Sequence, residues 1–266
     1  MKKNGVLLIL LLVSFEIFSQ NENLQSKFDS IIIEADLLYR YEKSVWNSTD
    51  LLMTDKSLMN NYGGYVVSHS GNNVFVTYVD KTQKESIARV TFTSNDLNRP
   101  LTSNLESSSL TLLEKELLDI KNRILNQLPE SKYNVTIPQG YSPNFVLIKN
   151  ENEFKLYILM GTNESGVIPF GNDYLFRTDA SGTITEWKKF HSRMIPAYSK
   201  GPNGEKVVSA IHSHLKTTPY ITATDICTFR LYGEFCGMEE FMVLCTATKK
   251  YYKYNMKTNT IKVTEP

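Results

Sequence analysis

Cysteine is scarce in this chain: Cys227, Cys236 and Cys245 all fall within the last forty of 266 residues. An odd count excludes a complete disulfide framework, and no Cys-x-x-Cys pair offers a thiolate metal site. One bridge beside a free thiol is one arrangement; buried thiols, on a helix for Cys227 and a strand for Cys245, are the other. Charge of one sign is missing too. The formal net charge is +1, and loss of the first nineteen residues would remove Lys2, Lys3 and Glu16 and leave the chain near neutrality. That balance excludes an electrostatic case for nucleic acid. No Gly-x-Ser-x-Gly nucleophile elbow occurs, and Gly161-Thr-Asn-Glu-Ser-Gly166 lacks the Lys-Ser/Thr ending of a phosphate loop. There is no internal repeat and no low-complexity segment.

Long hydrophobic runs are absent except at the N-terminus. Two lysines precede Gly5-Val-Leu-Leu-Ile-Leu-Leu-Leu-Val-Ser-Phe15, and Ile17-Phe-Ser19 follows before Gln20. This pattern predicts an export signal over residues 1–19, cleaved near Ser19. The run is short for a membrane span, and nothing after it supplies a second anchor. The expectation is an exported protein, periplasmic or secreted, with no stable membrane span after signal removal.

What the chain does contain is apolar and aromatic: 41% hydrophobic residues and fifteen tyrosines point to a globular, strand-rich protein. Leu24, Phe28, Ile31, Ile32, Ala35, Leu38, Tyr39 and Val45 recur at helical spacing, so an amphipathic helix is predicted over 24–46, broken by Asn47-Ser-Thr-Asp50. Three antiparallel strands follow over 64–69, 74–79 and 86–92, with His69 a surface residue beside the first turn. Leu110 to Leu128 reads as a strong helix closed by Pro129, docked on those strands or opening a second unit. Strands are expected at 145–149 and 154–161, a hairpin across Asn150-Glu-Asn-Glu153, and then at 167–171, 174–178 and 183–190. A helix from Ala223 to about Tyr232, stopped at Gly233, separates the strand before it from three more at 241–246, 250–254 and 260–263.

Between the last two groups lies Val207-Val-Ser-Ala-Ile-His212-Ser-His214-Leu-Lys-Thr-Thr-Pro219-Tyr-Ile-Thr222-Ala-Thr-Asp225. On a strand, His212 and His214 point to the same face, and Asp225 at a helix start can bring a carboxylate to the same point. Two imidazoles and one carboxylate suit zinc with its fourth position open. The same residues also read as a capping box, Thr222 at N-cap and Asp225 at N3, beside two ordinary strand histidines. His191, in Phe190-His-Ser-Arg193, is either a surface histidine or a fourth ligand.

The spacing His-x-His, seven residues, Thr-x-x-Asp resembles the JAMM (MPN) metalloprotease motif, in which Ser stands where Thr222 stands here. The resemblance covers roughly residues 145–266, with Leu215 in place of the family's usual proline. It implies an α+β fold: a C-terminal mixed β-sheet flanked by helices in a cytidine-deaminase-like layering, preceded by the N-terminal helix and antiparallel strands. The implied division is a signal at 1–19, an N-terminal unit at 20–100 and a JAMM-like domain at 101–266. By the resemblance His212, His214 and Asp225 bind zinc (Zn), Thr222 steadies an oxyanion, and an upstream Glu activates the attacking water. Glu153, ahead of the strand ending in Gly161, fits that place; Glu164 is the second choice. The implied function is an exported zinc-dependent hydrolase, peptidase or isopeptidase-like, acting on a peptide or cell-envelope amide. The alternative is a non-catalytic binding or structural protein that retains the fold.

Overall fold

A computed structural model describes residues 4–151 and 153–265, with side chains from residue 23 onward, so the export-signal reading of residues 1–19 rests on side chains outside the described residues. The fold is α+β: among the described residues, three larger antiparallel or mixed sheets and one two-stranded sheet, with few helices. Helix α1 (Asn4–Met53) buries Phe28, Ala35, Leu38, Tyr41 and Leu52 along one stripe. It does not break at Asn47–Asp50 as expected. Ser48 Oγ donates back to the Ser44 carbonyl (2.6 Å) and meets the Tyr78 hydroxyl (2.7 Å). Thr49 Oγ1 reaches the same hydroxyl (3.0 Å), and Asn47 Nδ2 donates to the Leu97 carbonyl (2.7 Å). Polar side chains that would otherwise compete for the helix backbone are thus engaged by the neighbouring sheet.

After the short helix α2 (Lys56–Asn61), β1 (Tyr62–Ser70), β2 (Asn73–Asp80) and β3 (Glu85–Thr93) form the expected antiparallel meander. Two short strands, β4 (Thr102–Asn104) and β5 (Ser108–Ser109), line the far side of β3, so this sheet closes across residue 100. Helix α3 (Leu112–Gln127) begins with a capping box between Thr111 and Glu114. The Glu114 carboxylate also accepts Arg89 Nε (2.7 Å), Arg89 Nη2 (2.8 Å) and Thr77 Oγ1 (2.6 Å), which clamps the helix start onto β2 and β3. Its other end reaches a different sheet, where Gln127 Nε2 donates to the Gly182 carbonyl (2.8 Å). Leu117, Ile120 and Ile124 pack in one core with Val66 and Val79 on one side and Leu156 and Phe176 on the other. The helix is therefore a wedge between two sheets.

The second sheet runs β10 (Ile184–Lys189), β9 (Tyr174–Thr178), β7 (Phe154–Gly161), β6 (Ser142–Lys149), all antiparallel, and β8 (Val167–Ile168) pairs with β11 (Ala197–Tyr198) beside it. The third sheet is mixed. Strand β12 (Ser209–His214) runs parallel to β13 (Glu240–Cys245), and β14 (Lys250–Asn255) and β15 (Thr260–Thr264) continue antiparallel. A parallel pair needs a crossover, and α4 (Ala223–Tyr232) supplies it. Gly233 caps α4 with right-handed backbone angles, and a Cβ there would lie 2.6 Å from the Phe229 carbonyl oxygen.

Helix α1 lies on α4. Asp36 takes the Arg230 guanidinium and Asn259 Nδ2 (3.2 Å), and the guanidinium stacks 4.0 Å above the Tyr39 ring. One apolar cluster runs without interruption from Phe28 and Leu38 through Val76 and Val90 to Phe229, Phe241 and Tyr254. All three cysteines are buried and unbridged. Among the described residues no helix is long and apolar enough to cross a membrane.

Candidate metal centre

Period-two alternation places the two strand histidines. Ala210, His212 and His214 turn inward along β12 while Ile211 and Ser213 turn outward. Asp225 arrives at the third position of α4, and the capping box is formed: Thr222 N donates to Asp225 Oδ2 (2.9 Å) and Asp225 N to Thr222 Oγ1 (3.1 Å). The capping reading of Asp225 is realised, and it occupies only one of the two oxygens. Oδ2 serves the cap and also receives the Thr222 hydroxyl (2.6 Å), while Oδ1 has no hydrogen-bond partner and faces the histidines.

The second sheet adds two residues. Asp173 immediately precedes β9 and His191 follows β10, and because these strands are antiparallel neighbours, their ends meet: Phe190 N donates to the Asp173 carbonyl (3.0 Å). The turn entering β9 needs Gly171, at φ +93°, since a Cβ there would sit 2.3 Å from the Arg193 carbonyl oxygen. His191 Nδ1 donates to Asp173 Oδ1 (2.5 Å), and the Thr224 hydroxyl on α4 donates to the other Asp173 oxygen. His191, His212, His214 and Asp225 form one buried group that could hold a metal ion, with donor atoms within 4.8 Å of one another.

The spacing can be tested against an ion. Donors roughly 2.0–2.1 Å from one zinc at the tetrahedral angle lie about 3.3–3.4 Å apart. His212 Nε2 is 3.1 Å from His214 Nε2 and 3.2 Å from Asp225 Oδ1; His191 Nε2 is 3.4 Å from Asp225 Oδ1; His214 Nε2 is 3.5 Å from Asp225 Oδ2. Only His191 Nε2 to His214 Nε2, at 2.6 Å, is markedly closer. Proton counting leads to the same place. His214 Nδ1 must carry hydrogen because its partner is the Tyr220 carbonyl (2.7 Å), and His191 Nδ1 carries one for Asp173. Both Nε2 lone pairs then point at each other, which requires a cation between them, either a proton or a metal ion.

The electrostatics fit a positive centre. Burial disfavours the His191 cation, but the Asp173 and Asp225 carboxylates outweigh it and raise the pKa to about 9. Burial lowers the His214 pKa, opposed by Asp225 and assisted by the other two imidazoles. Burial alone would raise the Asp225 pKa; the three imidazoles override it and hold the carboxyl far below its ordinary value. His212 lies between the Phe170 and Phe241 rings, 5.0 and 6.1 Å away, and its Nδ1 has no partner. His191 and His214 border a cavity of about 510 Å³.

Of the residues named from sequence, His212, His214 and Asp225 come together and Glu153 does not. Glu153 sits in the β6–β7 turn, where its carboxylate accepts Asn150 Nδ2 (3.0 Å) and Arg177 Nη1 (2.9 Å). The adjacent Phe154 pairs with Thr178, at the opposite end of β9 from Asp173 and roughly 16 Å away at the rise of a strand. An ion-paired turn residue at that distance is not the proton acceptor of this site. Glu164 is exposed in the loop after β7 and is not in the group either. Thr222 does reach the site, yet its hydroxyl is spent on Asp225 rather than free for an oxyanion. Asp173 escaped sequence reasoning, although a carboxylate directly before one strand and a histidine directly after its partner was the signal available.

No family model and no curated protein matches the chain. Among solved structures, a candidate periplasmic protein from Bacteroides eggerthii is similar at 15% identity over 51% of this chain and 83% of its own, with a TM-score of 0.18. A likeness that loose carries no argument about fold or activity.

Proposed function

We propose that this is an exported metal-binding protein of JAMM-like fold, whose His191, His212, His214 and Asp225 hold one zinc ion in a closed, fold-stabilising centre. The observation that carries this is the convergence of four buried donors within 4.8 Å of one another, with the His191 and His214 Nε2 atoms facing each other across a gap that calls for a cation. Three imidazoles and a carboxylate suit zinc among the common divalent ions. Four protein donors leave no position open, which is the pattern of structural rather than catalytic zinc. The strand–helix–strand unit β12–α4–β13, within a mixed sheet, supports the JAMM-like layering. Asp173 and the Tyr220 carbonyl orient His191 and His214 from behind, as outer partners of metal-bound imidazoles do.

A second reading, a zinc-dependent peptidase or isopeptidase-like hydrolase, is favoured by the cavity at His191 and His214. Zinc there would supply Lewis acidity toward an amide carbonyl. Within the chain, Asp173 is then the carboxylate nearest to hand, and it acts through the His191 imidazole.

Metal analysis of the purified chain after zinc reconstitution at neutral pH separates these readings from a metal-free one. One equivalent is expected in the unaltered protein, with loss in His214→Ala and in His191→Ala. Zinc retained in His191→Ala together with amide cleavage would favour the hydrolase. No bound zinc in the unaltered protein would overturn both.

A further inference from the structure

A second cavity, of about 440 Å³, lies between α1, the outer face of the second sheet and the loop leading to α4. Strand register fixes which side chains enter it. Tyr157, Leu175 and Lys188 are cross-strand neighbours on this face, as are Arg177 and Glu186, whereas the Trp187 ring packs on Phe176 and Tyr133. Ile31, Leu175, Phe190 and Tyr220 give the cavity an apolar floor. Phe190 and Thr218 border both this cavity and the one at His191 and His214, so the two are neighbours along the 215–219 loop.

Its charges do not balance. Glu34 is engaged by Lys155 Nζ (2.7 Å) and the Tyr157 hydroxyl, and Arg177 by Glu153 (2.9 Å) and Glu186 (3.7 Å). Lys27 and Lys188 face the same space, and neither has a carboxylate partner among the described residues. Lys188 Nζ meets only the Thr217 carbonyl (3.3 Å) and the Phe190 ring at 5.1 Å. Burial and then Lys27 lower the Lys188 pKa, against the weaker pull of Asp173 and Glu186.

We infer that this cavity binds an extended acidic peptide, with a carboxylate between Lys27 and Lys188 and a neighbouring apolar side chain on Phe190 and Tyr220. A cavity of this size exceeds what a small inorganic anion fills and falls within the range of organic-ligand sites. The ammonium pair selects the carboxylate by charge, and the aromatic floor adds apolar contact. The inference goes beyond the metal reading proposed above and stands independently of it.

The test is calorimetric titration of the full mature chain with acetyl-Ala-Phe-Glu-Ala-amide, its Gln counterpart and inorganic phosphate, with zinc content measured in the same samples. The Glu peptide should bind roughly tenfold or more tightly than the Gln peptide, the expected effect of one charge-assisted contact. Lys27→Gln with Lys188→Gln should abolish that difference while the Gln peptide's own affinity, zinc content and melting temperature stay unchanged. Equal affinity for both peptides, no binding of either, or phosphate binding as tightly as the Glu peptide would overturn the inference. Peptide binding without zinc would overturn only the metal reading, and zinc without peptide binding only this one.

Discussion

Asp173 shows how much one side chain outside the ligand set can decide. It takes the His191 Nδ1 proton on one oxygen and the Thr224 hydroxyl on the other, tying the β9–β10 hairpin to α4 and fixing which His191 nitrogen faces the centre. Replacing it with asparagine preserves shape but removes the charge that orients the imidazole. Asp173→Asn is expected to weaken zinc about 10–100-fold in chelator competition, with the circular dichroism spectrum unchanged. By contrast Glu153→Gln should leave zinc content as it is and cost under ~1 kcal/mol, since it breaks a half-exposed ion pair.

Among the elements, α3 depends on Glu114 more than on any other polar residue. That carboxylate closes the capping box and receives Arg89 and Thr77, and although burial pushes its pKa up, these hydrogen bonds prevail and bring it to about 2. Because the folded value lies below the ordinary one, the stability Glu114 contributes is present above about pH 4.5 and is lost as pH falls towards 2. Glu114→Ala is expected to cost about 2 kcal/mol at pH 7, through the lost cap and pair, and less near pH 2, as urea melts at the two pH values would read. Element by element, the sequence was a good guide where apolar period decides: α3, α4 and most strands stand close to where periodicity places them. It misled at Asn47–Asp50, because the partners that keep those residues helical, Tyr78 on β2 and the Leu97 carbonyl in the loop after β3, lie thirty or more residues away. His212, His214 and Asp225 were legible because they lie on one strand–loop–helix segment. Asp173 was not, since it depends on two sheets meeting, and the same meeting buries His191, which the sequence left open between a surface histidine and a fourth ligand.

For the whole molecule, the centre joins the second sheet to the third through His191 on one and His212 and His214 on the other. Zinc at about 100 times its Kd would stabilise the folded state by about 2.7 kcal/mol. Stripping it with a chelator is therefore expected to lower the melting temperature by roughly 5–10 °C in a chain of this size, and zinc, not magnesium, should restore it in a calorimetric scan. His214→Ala should melt low with or without the chelator.

The contact of α1 with α4 carries a kinetic consequence. Asp36 meets Arg230 and Asn259, partners 194 and 223 residues further along the chain. The face of α1 that carries Asp36 thus has no native partner until α4 and almost the last strand exist, and such long-range closure folds slowly. The chain therefore spends most of its synthesis without a finished core, and its last residues, from α4 onward, complete the packing of its first helix.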